Sequence, residues 1–358
     1  MSDTSQVQSS YRELKVKWSF VFLALALLLS LLLSVGIGPM QISLLDSLSV
    51  IVAKTGLIEM QVSGVMENIV ASIRLPRAVL AVFVGSVLAV CGAAMQGLFR
   101  NPLADPGLIG VTGGASLAAV LMIVLGGTTF SFLFAIFGAY TLMIAAFVGA
   151  FLTTMLVAKV ATTQFGTSIT SMLLAGIAIG IVTGAAVGLL TFTADDAQLR
   201  TLTFWSMGSL GGATWSTVLA AGSLIAIPLI CLPLHAKNLN ALLLGESEAR
   251  HLGINVETVK RQIITLTAIG VGASVAVAGM IGFVGLIVPH IVRLVLGPDH
   301  RYLLTASAAL GALFLLVADM ISRTIIAPAE LPIGLITTII GGPFFIAMVV
   351  YRARSNSL

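Results

Sequence analysis

Few residues of this chain stand where they could do chemistry. Asp319 and Arg323 lie four apart in an apolar stretch, the spacing of an ion pair along a helix or of one station in a proton relay. Gly176, Gly180, Gly184 and Gly188 recur every fourth residue, which puts one smooth glycine face on a helix. Such a face admits a second backbone closely, or lines a passage wide enough for a bulky solute. Residues 245–253 hold a charged, helix-compatible segment in which Gly245 and Gly253 flank Glu246, Glu248, Ala249, Arg250 and Leu252. It reads as a solvated connection or as a small helix that docks into a cleft on another protein. Residues 193–215 place Arg200 near Phe204, Trp205 and Met207. A guanidinium beside aromatic and thioether groups suits a flat, carboxylate-bearing ligand, and the same aromatics suit a membrane–water interface.

Several chemistries are missing from the sequence. It contains no G-x-x-x-x-G-K-[ST] pattern to cradle a nucleotide phosphate, and no paired carboxylates, His cluster or nucleophile elbow. Cys91 and Cys231 both sit in apolar runs and read as small hydrophobes rather than metal ligands. The expectation is a non-enzymatic protein without catalytic or metal-binding residues, drawing energy from a separate ATPase.

The elements that must position these residues are membrane helices. Of 358 residues, 58% are hydrophobic and 9% charged, against about 25% charged in soluble domains, and the mean hydropathy is +1.11. A surface so poor in charge belongs in lipid. Apolar runs over about 18–36, 76–97, 107–126, 131–160, 169–192, 214–235, 259–280, 283–297, 302–325 and 333–351 predict ten spans. The run 131–160 is long enough to be tilted or kinked, and 283–297 is short. Residues 41–72, interrupted by Asp46, Lys54, Glu59 and Glu67, read as an external loop with an amphipathic helix.

Basic residues set the orientation. With the N-terminus cytoplasmic, Arg12, Lys15, Lys17, Arg100, Lys159, Lys237, Arg250, Lys260, Arg261, Arg301, Arg352 and Arg354 fall on that side, and only Lys54, Arg74, Arg77, Arg200 and Arg323 on the other. Residues 1–358 form a single transmembrane domain: a cytoplasmic tail over 1–17, a cytoplasmic region at 236–258 and a tail at 352–358. The apolar run after residue 17 reads as a retained first span, because no A-x-A-like cleavage site follows it. Residues 100–107, with two prolines and Asp105, read as a packing turn.

Six motifs in order carry a resemblance: Arg-Leu-Pro-Arg at 74–77, Met-Gln-Gly-Leu-Phe-Arg-Asn-Pro-Leu-Ala-Asp-Pro-Gly at 95–107, Gly-Glu-x-x-Ala-x-x-Leu-Gly at 245–253, Gly-Phe-Val-Gly-Leu-Ile-Val-Pro-His-Ile-Val-Arg at 282–293, Gly-Pro-Asp-His at 297–300 and Glu-Leu-Pro-Ile-Gly at 330–334. They resemble the FecCD-type permeases of ATP-binding-cassette importers for iron-siderophores, haem and vitamin B12. The wording of residues 199–210 is similar to the haem branch. The resemblance implies an all-α integral membrane protein of the type II importer, vitamin B12 permease-like fold, in the bacterial inner membrane with both termini cytoplasmic. It implies a homodimer embedded in lipid, with two cytoplasmic ATPase subunits that bind ATP and a periplasmic binding protein, and without nucleic acid. By the same resemblance, residues 245–253 couple to the ATPase, and Arg74, Arg77 and Arg323 face outward to grip binding-protein glutamates. The fifth helix with its four glycines lines the pathway. Haem is the implied transported substrate, with no permanently bound cofactor. A ferric siderophore or cobalamin remains the alternative cargo, and an ion-coupled secondary transporter the alternative mechanism.

Overall fold

A computed structural model describes residues 2–40, 42–54, 63–164 and 166–355, with side chains over 13–40, 42–53, 63–164 and 166–351. Glu59 and the side chains of Arg12, Lys54, Arg352 and Arg354, invoked above, lie outside the described part.

The helices in chain order are α1 Ser2–Gly36, α2 Leu44–Lys54, α3 Gly64–Asn68, α4 Leu75–Leu98, α5 Val111–Leu125, α6 Ser131–Phe137, α7 Thr141–Val160, α8 Ile169–Phe192, α9 Asp196–Met207, α10 Trp215–Leu234, α11 Ala236–Leu244, α12 Glu246–His251, α13 Val256–Ala278, α14 Val284–Leu296, α15 His300–Ser322 and α16 Ile333–Ser355. A two-residue hairpin, β1 Thr162–Thr163 paired antiparallel with β2 Gly166–Thr167, joins α7 to α8. Among the described residues, eight helical stretches are long and apolar enough to cross a bilayer. The shorter α5 and α14 complete the ten expected spans.

One boundary differs from expectation and one expected irregularity is located, each with a local reason. Pro76 marks a helix start in sequence, yet α3 runs into α4 through a π turn at Ile69–Arg74. The widened turn accommodates a proline that has no N–H to donate. The long run 131–160 is broken at Gly138, whose φ of 54° and ψ of −132° end α6 before a 3₁₀ turn over Gly138–Tyr140 leads into α7.

α4 is the axis of the subunit. It packs against α15, α14, α10 and α13, and 83% of the most apolar window of its span is buried. Small residues allow this. A Cβ on Gly85 would collide with the Gly311 backbone of α15, and one on Gly92 with the Gly285 backbone of α14, so at both points two helices meet backbone to backbone.

At the second contact a buried polar splice appears. Pro289 inside α14 has no N–H for the Gly285 carbonyl four residues earlier. In a span no water can replace that bond. Gln96 of α4 supplies it, its Nε2 donating to Gly285 O at 3.3 Å and Leu286 O at 3.2 Å, while Arg293 NH2 donates to Gln96 Oε1 at 2.9 Å. Gln96→Leu should therefore lower stability by about 1–3 kcal/mol, the cost of stranding a buried acceptor, read as a lower unfolding midpoint of the detergent-purified permease.

Candidate functional site

α8 begins where Ser168 caps it, Oγ accepting from Ser171 N at 3.2 Å. Its composition is apolar on every side, yet only 11% of its window is buried, so most of the helix has no partner within the subunit. The glycine register divides in two. Gly176 packs onto the Pro106–Ile109 3₁₀ turn, where a Cβ would strike the Leu108 carbonyl, whereas Cβ atoms on Gly180, Gly184 and Gly188 would meet nothing within 4 Å. One glycine packs; three leave space.

α9 follows through a capping box in which Asp195 Oδ1 accepts from Gln198 N at 2.8 Å and Gln198 Oε1 accepts from Asp195 N at 3.1 Å. Gln198 Nε2 also donates to Val124 O of α5 at 3.2 Å, fixing the rotation of α9. The exposed face so presented carries Arg200, whose Cζ lies 5.9 Å from the centroid of the Phe204 ring. Arg200, Thr201, Phe204 and Trp205 line an open cleft of about 560 Å3 against Leu142 and Met143 of α7 and Ala276–Gly279 at the end of α13. Met207 is not among its lining residues; its carbonyl packs beneath Gly334. Thr201 and Ser209, which composition alone did not single out, add hydroxyls to the wall.

Within residues 245–253 the expected short helix spans Glu246–His251. Gly245, with φ 122° and ψ 154°, turns the chain from α11 into α12. Ala249 is buried, while Leu252 and Leu244 stand exposed. Glu246 lies 3.7 Å from Arg250 along the helix and 2.8 Å from Lys260. The base of the segment is fastened to α15: Asn240 Nδ2 donates to Asp299 Oδ1 at 2.7 Å, and His300 N donates to Asn240 Oδ1 at 2.9 Å. Burial acts to raise the Asp299 carboxyl, but the bonds from Asn240 and Arg301 outweigh it and hold it below the usual carboxylate range.

At the opposite end of α15 lie the three arginines expected on the outer face, and all three are buried within the subunit. Arg74, Arg77 and Arg323 are 4%, 5% and 2% exposed. Arg74 NH1 donates to Val35 O at 2.9 Å and Gly36 O at 2.6 Å, and its NH2 bonds Met40 O. Arg323 NH2 donates to Ser34 O at 2.6 Å and Ser34 Oγ at 2.8 Å. The carbonyls of Ser34, Val35 and Gly36 belong to the end of α1 and that of Met40 to the chain just after it, so two guanidiniums serve as its cap. Arg77 Nε donates to Asp319 Oδ1 at 2.8 Å, and its NH1 to both oxygens of Glu330 at 2.9 and 2.8 Å. The expected Asp319–Arg323 pair is present at 3.5 Å, but Arg77 is the closer partner. Glu330 was legible only as part of a motif, because its cation lies 253 residues away.

A polytopic helical permease is the class these features define: ten apolar spans, one with an open glycine face, an open aromatic cleft on the helix that follows it, and a charged helix between spans. The chain belongs to the FecCD transport family, which matches residues 26–351. It is 49% identical over 292 residues to the hemin transport system permease protein HmuU of Yersinia pestis, covering 82% of this chain and 86% of that one. It is 42% identical over 289 residues to the vitamin B12 import system permease protein BtuC of Vibrio cholerae, covering 80% and 84%. A solved structure described as a metal-chelate type ABC transporter in an inward-facing conformation superposes with a TM-score of 0.80 at 31% identity, covering 94% of this chain and 99% of that one.

The arginine cluster makes a specific prediction. Asp319→Ala leaves Arg77 and Arg323 without their shared buried carboxylate and should destabilise the subunit by about 3–5 kcal/mol. Gly184→Ala, adding a methyl to open space, should stay within about 0.5 kcal/mol. Thermal unfolding of the two purified variants compares them directly.

Proposed function

We propose that this chain is the membrane-spanning subunit of an ATP-binding-cassette importer that carries haem from periplasm to cytoplasm across the bacterial inner membrane. The observation that carries the reading is the grouping of Arg200, Phe204 and Trp205 on one cleft of α9, the helix that follows α8, in a chain 49% identical to a hemin permease. The guanidinium suits a propionate and the rings a porphyrin face. None of the four histidines lines the cleft, so the iron ligand is assigned to the binding protein, and the permease holds its cargo weakly enough to release it.

The working unit in this reading is a homodimer with two cytoplasmic ATPase subunits and a periplasmic binding protein, both termini being cytoplasmic. The apolar surface that α8 leaves open, with Gly180, Gly184 and Gly188 on it, faces its counterpart across the dimer axis and forms the pathway. ATP draws the ATPases together, their motion reaches residues 245–253, and the paired α8 helices exchange access from one side to the other. Docking of the binding protein proceeds by exchange: a glutamate from its lobe replaces Glu330, 39% exposed at its side chain, on Arg77. Arg74 and Arg323 hold the end of α1 and keep the local field positive. Such an exchange contributes register and capture rate more than affinity.

The similarity to vitamin B12 permeases favours cobalamin as the second cargo to test. Proteoliposomes containing the permease, its ATPase and its binding protein should take up haemin when ATP is present, and Arg200→Ala should reduce that uptake by about tenfold, the ratio expected for one charge-assisted contact. Uptake of cobalamin or a ferric siderophore in place of haemin would reject the haem assignment, and uptake without ATP would reject the importer. Charge reversal at Glu246 together with Arg250 should lower the cargo moved per ATP hydrolysed in the same vesicles.

A further inference from the structure

Lys260 lies on the buried stripe of α13, in step with Val256, Val259, Ile263, Ile264 and Thr267, and its side chain is 3% exposed. Lysine is almost never fully buried unless paired, and an apolar residue would fill such a position with less desolvation cost. Its ammonium spends its three protons on three different elements. Nζ donates to Glu246 Oε2 of α12 at 2.8 Å, to Glu257 Oε1 of α13 at 3.1 Å and to Thr167 O of the hairpin at 2.7 Å.

The hairpin is gripped a second time at the same spot. Thr167 N donates to Glu257 Oε2 at 2.8 Å, so both backbone groups of Thr167 are held by the one charged cluster. Gly166, with φ 108°, passes so close that a Cβ there would lie 2.7 Å from Glu257 Oε1. One residue further on, Ser168 caps α8. The route from α12 to the first turn of α8 is therefore one ammonium, one backbone carbonyl and one capping residue.

We propose that Lys260 is the positioning residue through which α12 moves α8: displacement of residues 246–251 drags the Glu246 carboxylate, the ammonium follows, and the Thr162–Thr167 hairpin carries the N-terminus of α8 with it. Glu257 keeps the hairpin seated on α13, so the cluster works as a fixed pivot on one side and a movable tether on the other. This inference rests on the importer reading above and names the group that links its two moving parts.

The test is hydrogen–deuterium exchange on the full-length permease assembled with its ATPase in nanodiscs, with and without a non-hydrolysable ATP analogue, together with uptake per ATP hydrolysed in proteoliposomes. In the wild type the analogue should change exchange at residues 246–251 and 162–168 together. In Lys260→Met, and in Glu246→Gln should the first variant fold poorly, the response should persist at 246–251 and vanish at 162–168. Cargo moved per ATP should fall by about tenfold, as expected when a buried charge-assisted bond is lost. Lys260→Arg, which keeps the charge and the donors, should recover part of the hairpin response. A hairpin that responds equally in all variants, or that does not respond in the wild type, overturns the proposal. A purely structural role would lower thermal stability with the ratio of uptake to hydrolysis unchanged. Absence of ATP-driven uptake in the wild type defeats the importer reading instead, while the exchange pattern still decides the linkage.

Discussion

Inside a bilayer a backbone amide or carbonyl without a partner costs several kcal/mol, because no water is there to take over. Several departures from regular helix among the described residues answer to that constraint. The proline in α14 is tolerated because Gln96 reaches across from α4 to the carbonyl it orphans. The carbonyls at the end of α1 are met by Arg74 and Arg323. The 3₁₀ turn at Pro106–Ile109 is seated against Gly176, and Asp105 Oδ1 accepts from Gly107 N at 2.7 Å to open it. In these three places irregular backbone is met by groups of the protein itself.

The same constraint governs the charges. Asp319 is fully buried between two guanidiniums, and Lys260 between two carboxylates and a carbonyl. Each cluster ties elements far apart in the chain, α4 to α15 in one and α12 to the hairpin in the other. Buried charges of this kind contribute little net stability compared with apolar packing; what they fix is which helix ends meet. The two clusters sit at opposite ends of the bundle, where spans must be joined to loops and where partners are proposed to bind.

Much of this was legible in sequence, though not all for the right reason. Ten apolar runs located the ten spans, because length and hydropathy are what the bilayer itself selects. The glycine register marked α8, but only the structure separates Gly176, pressed on the Leu108 carbonyl, from the three glycines with open space. The motifs at 95–107 and 282–293 carried the resemblance without an assigned role, and their Gln96, Pro289 and Arg293 form one splice between α4 and α14. The burial of the arginines at 74, 77 and 323 is not legible in sequence, since the carbonyls and carboxylates that bury them come from up to 289 residues away. Lys260 carried a local sign that was passed over: a cation in register with five apolar or buried positions of its own helix. Charge counts assign such a residue to a side of the membrane; periodicity would have assigned it to the interior.

The uneven seating of α8 has a consequence for how such subunits diversify. Gly176 is pressed against the 3₁₀ turn, while beyond it three glycines face open space and Ile177, Ile181, Val182 and Leu189 stand exposed. Substitutions in that outer stretch, and on the free face of α9 that continues it, leave the folded subunit almost as it was, since few internal contacts depend on them. The surface proposed to meet the cargo is thus one weakly tied to folding. A lineage can reshape it in small steps for solutes of different bulk and charge, while the α4 axis and the charged clusters at either end of the bundle stay fixed.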